Sequence, residues 1–306
     1  MEAAAGASPA IVIIGAGALG SAVGTVLSRK GFSLALWDKD PGRPTLGKTL
    51  NEIVPSAKIL LFCVPSFAVR SVAEAAAPFM RTGALVVCFS KGLEEKTRKT
   101  MDQVLDEVLP KRVSFALVGG PMLAGEMSAG SVSIAKVASK DPTALVTVQT
   151  LFSSTNVRVS TTNDVHGVAL SSVLKNVYAV ALGIAEGLGM STNEKGWLVS
   201  KAAREMVGIG ALLGVQEETL MGSAGLADLI ATGSSSASRN HQSGIELSQG
   251  IAPEIRGEGI FSLTPMLALI GSENRIRFPL LDVIAQIALE HARPKETFDE
   301  YIQLNL

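Results

Sequence analysis

Lysine in the middle of an apolar helix needs either a partner or a task. Residues 171–189, SSVLKNVYAVALGIAEGLG, are mostly small and apolar at helical spacing, yet they carry Lys175 and Asn176. A buried ammonium costs roughly several kcal/mol unless it is paired or neutralised. Burial also lowers its pKa from about 10.4 toward neutrality, which makes a desolvated lysine a usable proton donor. Ser171 and Ser172 lie one turn earlier on roughly the same face, and Glu186 is too far along the helix to pair directly. Asn176 is expected to offer its amide to a ligand or to neighbouring backbone. Read in isolation, Lys175 also fits a side chain that snorkels to solvent.

Other candidates are spread along the chain. Asp228 and Thr232 are four apart, so on a helix they share one face. Arg239 and Asn240 follow the serine-rich GSSSAS patch at 233–238, and arginine suits bidentate recognition of phosphate. Taken alone, Asp228 reads equally as a helix-start residue and Ser-Arg-Asn as an exposed loop. Lys91 follows an apolar strand, at the carboxyl edge where open α/β sheets bind ligands.

The elements that must position these residues begin with IVIIGAGALGSAVGTVLSRKG. Gly15, Gly17 and Gly20 form G-x-G-x-x-G between a strand and a helix. The first glycine permits the tight turn, the second admits a pyrophosphate, and the third allows close helix–strand packing, with the helix N-terminus facing the phosphates. Asp38, at the end of the second strand, lies where a ribose-binding acid belongs. It favours NAD; Lys39 and Arg43 follow closely, and either suits the 2′-phosphate of NADP.

Apolar runs at 11–14, 33–37, 58–64, 84–90 and 114–118 read as strands, with helical spacing over 20–30, 67–80 and 96–108. Residues 134–139 and 157–162 extend the set. Strands alternating with helices imply a parallel sheet with crossovers. From about Asp164 the pattern changes to long helices. The expected organisation is a disordered tail (1–10), a dinucleotide-binding domain (11–162) and a helical substrate-binding and catalytic domain (163–306).

The chain has 306 residues, a net charge of −1, 47% hydrophobic residues and few aromatics. No nucleic-acid surface is indicated. No uncharged apolar run of 18 residues is present, which argues against a membrane span. Residues 1–10 lack the features of a signal peptide, which points to the cytoplasm. Cys63 and Cys88 read as reduced core residues, and three scattered histidines give no metal-ligand spacing.

Taken in order after the glycine turn, FSKGLE (89–94), GGPMLAGE (119–126), LKNVYAVALGIAEGLG (174–189) and GSAGLADLIATGSSSASRN (222–240) resemble the NAD(P)-dependent glycerol-3-phosphate dehydrogenase family. The resemblance runs from about Ile11 to the C-terminus. It implies an α/β fold with a Rossmann-type parallel sheet and an all-helical C-terminal domain, usually as a homodimer. It further implies reduction of dihydroxyacetone phosphate to sn-glycerol 3-phosphate for phospholipid synthesis, with NAD or, alternatively, NADP as cofactor. Hydride delivery to a ketone leaves an alkoxide that must be protonated. Lys175 matches the family's catalytic lysine, with Asp228 positioning it and Lys91 beside substrate and cofactor. The resemblance assigns Gly120, Asn176, Thr232, Ser238, Arg239 and Asn240 to the substrate. It assigns Gly15, Gly17, Ala18, Leu19, Gly20, Asp38, Ala124 and Glu258 to the cofactor, which Lys91 and Arg239 also touch.

This chain departs from the family in three places. Only Pro41 to Ala57 separate the second strand from KILLFCV, as if one strand–helix unit were deleted beside the adenosine site. Met122 stands where the family tends to have a serine, and Leu19 replaces a bulky aromatic. These departures keep two alternatives open: a reductase of another small phosphorylated ketone or imine, and a dinucleotide-binding sensor with little turnover.

Overall fold

In a computed structural model, residues 10–43, 47–253 and 257–305 are described; of the expected tail, residues 1–9 lie outside them. The chain packs into two units. The first comprises residues up to Ser90, Met101–Val118 and Met122–Val165; the second comprises Lys91–Thr100, Gly119–Pro121 and His166 onward.

The first unit is built on strands β1 (Ile11–Ile14), β2 (Leu34–Trp37), β3 (Ile59–Phe62), β4 (Leu85–Cys88), β5 (Ser114–Gly119), β6 (Ser133–Ala138) and β7 (Val157–Thr162). They form one seven-stranded sheet in the order β2-β1-β3-β4-β5-β6-β7. β1 pairs in parallel with β2 and β3, with Ile14 opposite Trp37 on one side and Phe62 on the other. The sheet is covered by α1 (Ala18–Arg29), α2 (Leu50–Ile53), α3 (Ser66–Ala76), α4 (Met101–Val108), α5 (Ala124–Ala129) and α6 (Pro142–Phe152). β1 and β4 are buried along their whole length, as strands covered on both faces must be. β2 is an edge strand, and among the described residues the single turn of α2 and a 3₁₀ turn (Val54–Ser56) lead from it to β3. Among the described residues no strand continues the sheet beyond β2.

One expected element starts late. Helical spacing over 96–108 yields a helix only from Met101. Residues 91–100 belong instead to the second unit, where Leu93 is 3% exposed in the helical core and its N–H donates to Ser262 Oγ at 3.2 Å. A bridge from Leu93 to Thr100 closes this excursion, with Arg98 in the left-handed region at φ 60°.

The second unit is helical: α7 (Val165–Gly187), α8 (Thr192–Leu212), α9 (Glu217–Met221), α10 (Asp228–Gly233), α11 (Arg239–Ser248), α12 (Glu258–Ile270), α13 (Pro279–Leu289) and α14 (Pro294–Asn305). A π turn over Ser223–Ala227 joins α9 to α10. α7 is the core. It has the length and composition of a membrane span, but its apolar window lies wholly inside the unit. Small residues let α11 approach it: a Cβ on Gly183 would fall 2.1 Å from the His241 carbonyl oxygen, and one on Gly244 would fall 2.2 Å from that of Val180. A buried hub ties α7, α8 and α13 together. Glu205 accepts from the Leu280 and Leu281 N–H groups at 2.6 and 2.9 Å and from the Tyr178 hydroxyl at 2.8 Å.

Candidate active site

In the first unit, the three glycines of the β1–α1 turn are constrained differently. Gly15 has φ 103°, and a Cβ there would meet the Cys63 carbonyl oxygen at 2.6 Å. A Cβ on Gly20 would fall 1.8 Å from the Gly15 carbonyl oxygen. Gly17, the N-cap of α1, is open, with the Arg43 Nη1 at 4.0 Å as the single neighbour of its absent Cβ. No side chain caps α1 and no acid lies in its first turn, where Ala18 is exposed and Leu19 half-buried against the core. This cradle suits a pyrophosphate at a helix N-terminus. Gly20→Ala is expected to weaken dinucleotide binding at least tenfold, because the methyl forces apart a turn with no room to yield. Cofactor titration by fluorescence checks this.

The Asp38 carboxylate, following β2, is held against the turn. Its Oδ2 accepts from the Ala16 N–H at 2.8 Å and its Oδ1 from the Asp40 N–H at 3.0 Å. Each oxygen keeps a lone pair for a ribose hydroxyl. The Arg43 Nη1 donates to the Ala16 carbonyl at 3.4 Å, which sets this cation over the same turn. Ala124, first residue of α5, is half-buried, and both it and Met122 pack on the core of the first unit.

In the second unit, Lys91, Lys175, Asp228 and Thr232 meet. The Lys175 Nζ donates to Asp228 Oδ1 at 3.1 Å and to Thr232 Oγ1 at 2.8 Å. Thr232 in turn donates to Asp228 Oδ1 at 3.0 Å. The Lys91 Nζ donates to Asp228 Oδ2 at 2.6 Å and to the Gly120 carbonyl at 3.1 Å. Asp228 is the shared counter-ion of two lysines and is 3% exposed. Burial pushes its carboxyl up, but the two ammonium groups outweigh burial and hold it below the ordinary carboxylate value. Burial pushes the Lys175 ammonium down; Asp228 opposes this, Lys91 adds to it, and the result is about 8.

An ammonium has three N–H donors. Asp228 and Thr232 take two from Lys175, leaving one free to reach a reacting oxygen. Lys91 keeps one in the same way. Thr232 spends its single donor on Asp228 and accepts from Lys175, which ties the three side chains together.

The remaining candidates divide. Asn240 Nδ2 donates to Asn176 Oδ1 at 2.8 Å, and Asn240 Oδ1 accepts from the Gly259 N–H at 2.9 Å. These two amides therefore lock α7, α11 and the start of α12. Glu258, first residue of α12, is half-buried beside that lock. Ser238 caps α11, accepting from the His241 N–H at 3.3 Å. Arg239 is exposed and makes no hydrogen bond or ion pair among the described residues. The buried Ser171 hydroxyl, one turn before Lys175, likewise has no partner among them. The Tyr178–Glu205 hub escaped the sequence reading, although a tyrosine three residues beyond Lys175 in a buried helix signals a required partner.

Two family models match the chain: the NAD-dependent glycerol-3-phosphate dehydrogenase C-terminus over residues 164–299 and its N-terminus over 45–145. Glycerol-3-phosphate dehydrogenase [NAD(P)+] of Geobacter sulfurreducens is 37% identical over 268 residues, covering 80% of each chain. That of Synechocystis is 33% identical over 306 residues, covering 97% of this chain and 94% of the relative. A crystal structure of glycerol-3-phosphate dehydrogenase from Coxiella burnetii superposes with a TM-score of 0.88 at 27% identity, covering 97% of this chain and 99% of that one. With the glycine turn and the lysine cluster, these define the class: an NAD(P)-dependent oxidoreductase acting on a CH–OH group. More specifically, the chain belongs to the NAD-dependent glycerol-3-phosphate dehydrogenase family.

Proposed function

We propose that this chain interconverts dihydroxyacetone phosphate and sn-glycerol 3-phosphate, with Lys175 as the group that gives and takes the proton. The observation that carries this reading is the buried lysine with one uncommitted N–H and a pKa lowered to about 8. When bound, the reduced nicotinamide supplies the hydride. In the reducing direction the spare Lys175 N–H holds the carbonyl oxygen and gives its proton to the developing alkoxide. Asp228 and Thr232 fix the direction of that N–H. Lys91 adds a second positive charge beside the oxygen and favours an anionic substrate. In the oxidising direction the neutral amine takes the hydroxyl proton.

Gly15, Gly17, Gly20 and the open start of α1 support dinucleotide binding in the first unit, with Asp38 for the ribose. Ala124 is assigned to the cofactor and Glu258 to its nicotinamide end on the family resemblance. So are a homodimer, a cytoplasmic location and supply of phospholipid precursor.

Arg239 is assigned to the substrate phosphate because its guanidinium is exposed and uncommitted. Arg239→Ala is expected to raise the KM for dihydroxyacetone phosphate about 10- to 100-fold, the loss of one charged hydrogen-bonding contact of roughly 1.5–3 kcal/mol. Its kcat changes much less. An unchanged KM places the phosphate elsewhere. The function itself is tested by following NADH and NADPH oxidation at 340 nm with dihydroxyacetone phosphate, using dihydroxyacetone as the phosphate-free control. Robust oxidation with the phosphorylated ketone alone is expected. No oxidation with either nucleotide, while the cofactor still binds, overturns the reading.

A further inference from the structure

A cavity of about 360 Å³ opens in the helical unit, away from the lysine cluster. Its wall carries Lys201 and Arg204 from α8, Arg277 from the turn before α13, and Tyr301 and Asn305 from α14, with Glu205 at one side. None of Lys91, Lys175, Asp228 or Arg239 lines it.

Among the described residues its three cations have no carboxylate partner. The Lys201 Nζ donates to the Asn305 carbonyl at 2.7 Å and sits over the Trp197 ring at 5.0 Å. Arg277 Nη1 donates to the neutral Asn274 side chain at 2.8 Å, with its guanidinium 5.7 Å from the Phe278 ring centre. Arg204 is exposed and makes no hydrogen bond or ion pair among the described residues. Elsewhere on the surface Arg70 pairs with Glu107 and Arg275 with Asp282 and Glu290. Among the described residues the cavity has one carboxylate, and it is committed inward: Glu205 accepts from two N–H groups at the start of α13 and from the Tyr178 hydroxyl. The hydrogen-bonding capacity left facing the cavity is therefore almost all donor and cationic. Unneutralised positive charges gathered around a concave site raise the local concentration of anions, and two guanidinium forks match oxyanion geometry.

We infer that this cavity is a second ligand site, which binds a small multivalent oxyanion on Lys201, Arg204 and Arg277. The shared chemistry is that of a compact di- or trianion, either a phosphate compound or a polycarboxylate.

Calorimetric titration with pyrophosphate and with citrate, at low ionic strength, separates the two sources and tests the site. Wild-type protein is expected to bind at least one of them at one site per chain, in the millimolar range or tighter. Arg204→Ala/Arg277→Ala weakens that event tenfold or more, while Arg204→Lys/Arg277→Lys retains part of it. Both positions are exposed, and an unchanged circular dichroism spectrum shows that the variants fold. Arg239→Ala leaves the event in place, which separates it from phosphate binding at the proposed active site. Binding of neither anion, equal binding in the double alanine variant, or loss in Arg239→Ala overturns the inference.

Discussion

Replacing Lys175 with alanine is expected to lower kcat for dihydroxyacetone phosphate reduction by a factor of roughly 10²–10⁴, the usual contribution of a positioned general acid. The variant keeps its cofactor affinity, because the glycine turn and Asp38 lie in the other unit. It also keeps a paired Asp228, since Lys91 still donates to Oδ2. The effect therefore falls on the chemical step and not on an orphaned carboxylate. Single-turnover kinetics with cofactor binding followed by nucleotide fluorescence separates the two. Near-normal turnover removes Lys175 from the mechanism.

Asp228→Asn is expected to be at least as damaging, for a different reason. One carboxylate, 3% exposed, neutralises two ammonium groups, and its loss leaves two cations facing a neutral amide. Removing one partner of a buried ion pair costs about 3–5 kcal/mol. Urea unfolding followed at the helical signal should show a loss of that order. The pH profile changes too. Asp228 is what raises the Lys175 pKa against burial and Lys91, so without it the value drops further below 8. Reduction needs the protonated lysine; its rate then falls away at lower pH than in wild type. A variant with wild-type stability and an unshifted profile contradicts the shared counter-ion.

Much of the fold was legible because it is local. The buried strands β1, β3 and β4 are short apolar runs and lie where such runs are found, whereas β7, VRVSTT, is exposed at half of its positions. The failure over residues 96–100 has a non-local cause. Leu93 donates to a serine 169 residues away, and no local spacing reveals that a loop leaves the sheet for another core. The site divides the same way. Lys175 was legible as a polar residue in an apolar helix, and the glycine turn as a pattern between strand and helix. The convergence of Lys175 with Asp228, 53 residues on, was reached through family resemblance alone, and the contact of Lys91 with Asp228 across 137 residues was not foreseen. Asn176 and Asn240 were assigned to the substrate on the family resemblance; that Asn240 Nδ2 also donates to Asn176 Oδ1 across 64 residues was not legible in local spacing. Glu205 has Lys201 and Arg204 near it in sequence, and no local spacing shows that it turns inward to Tyr178 and the start of α13.

The central claim, that Lys175 delivers the proton, is tested most directly by kcat/KM for dihydroxyacetone phosphate against pH, at saturating reduced cofactor. A proton donor with a pKa of about 8 predicts a plateau at lower pH and a tenfold fall per unit above about 8. The reverse reaction, limited by the neutral amine, should rise through the same point. A profile for reduction that stays flat to pH 10 in folded protein contradicts the account.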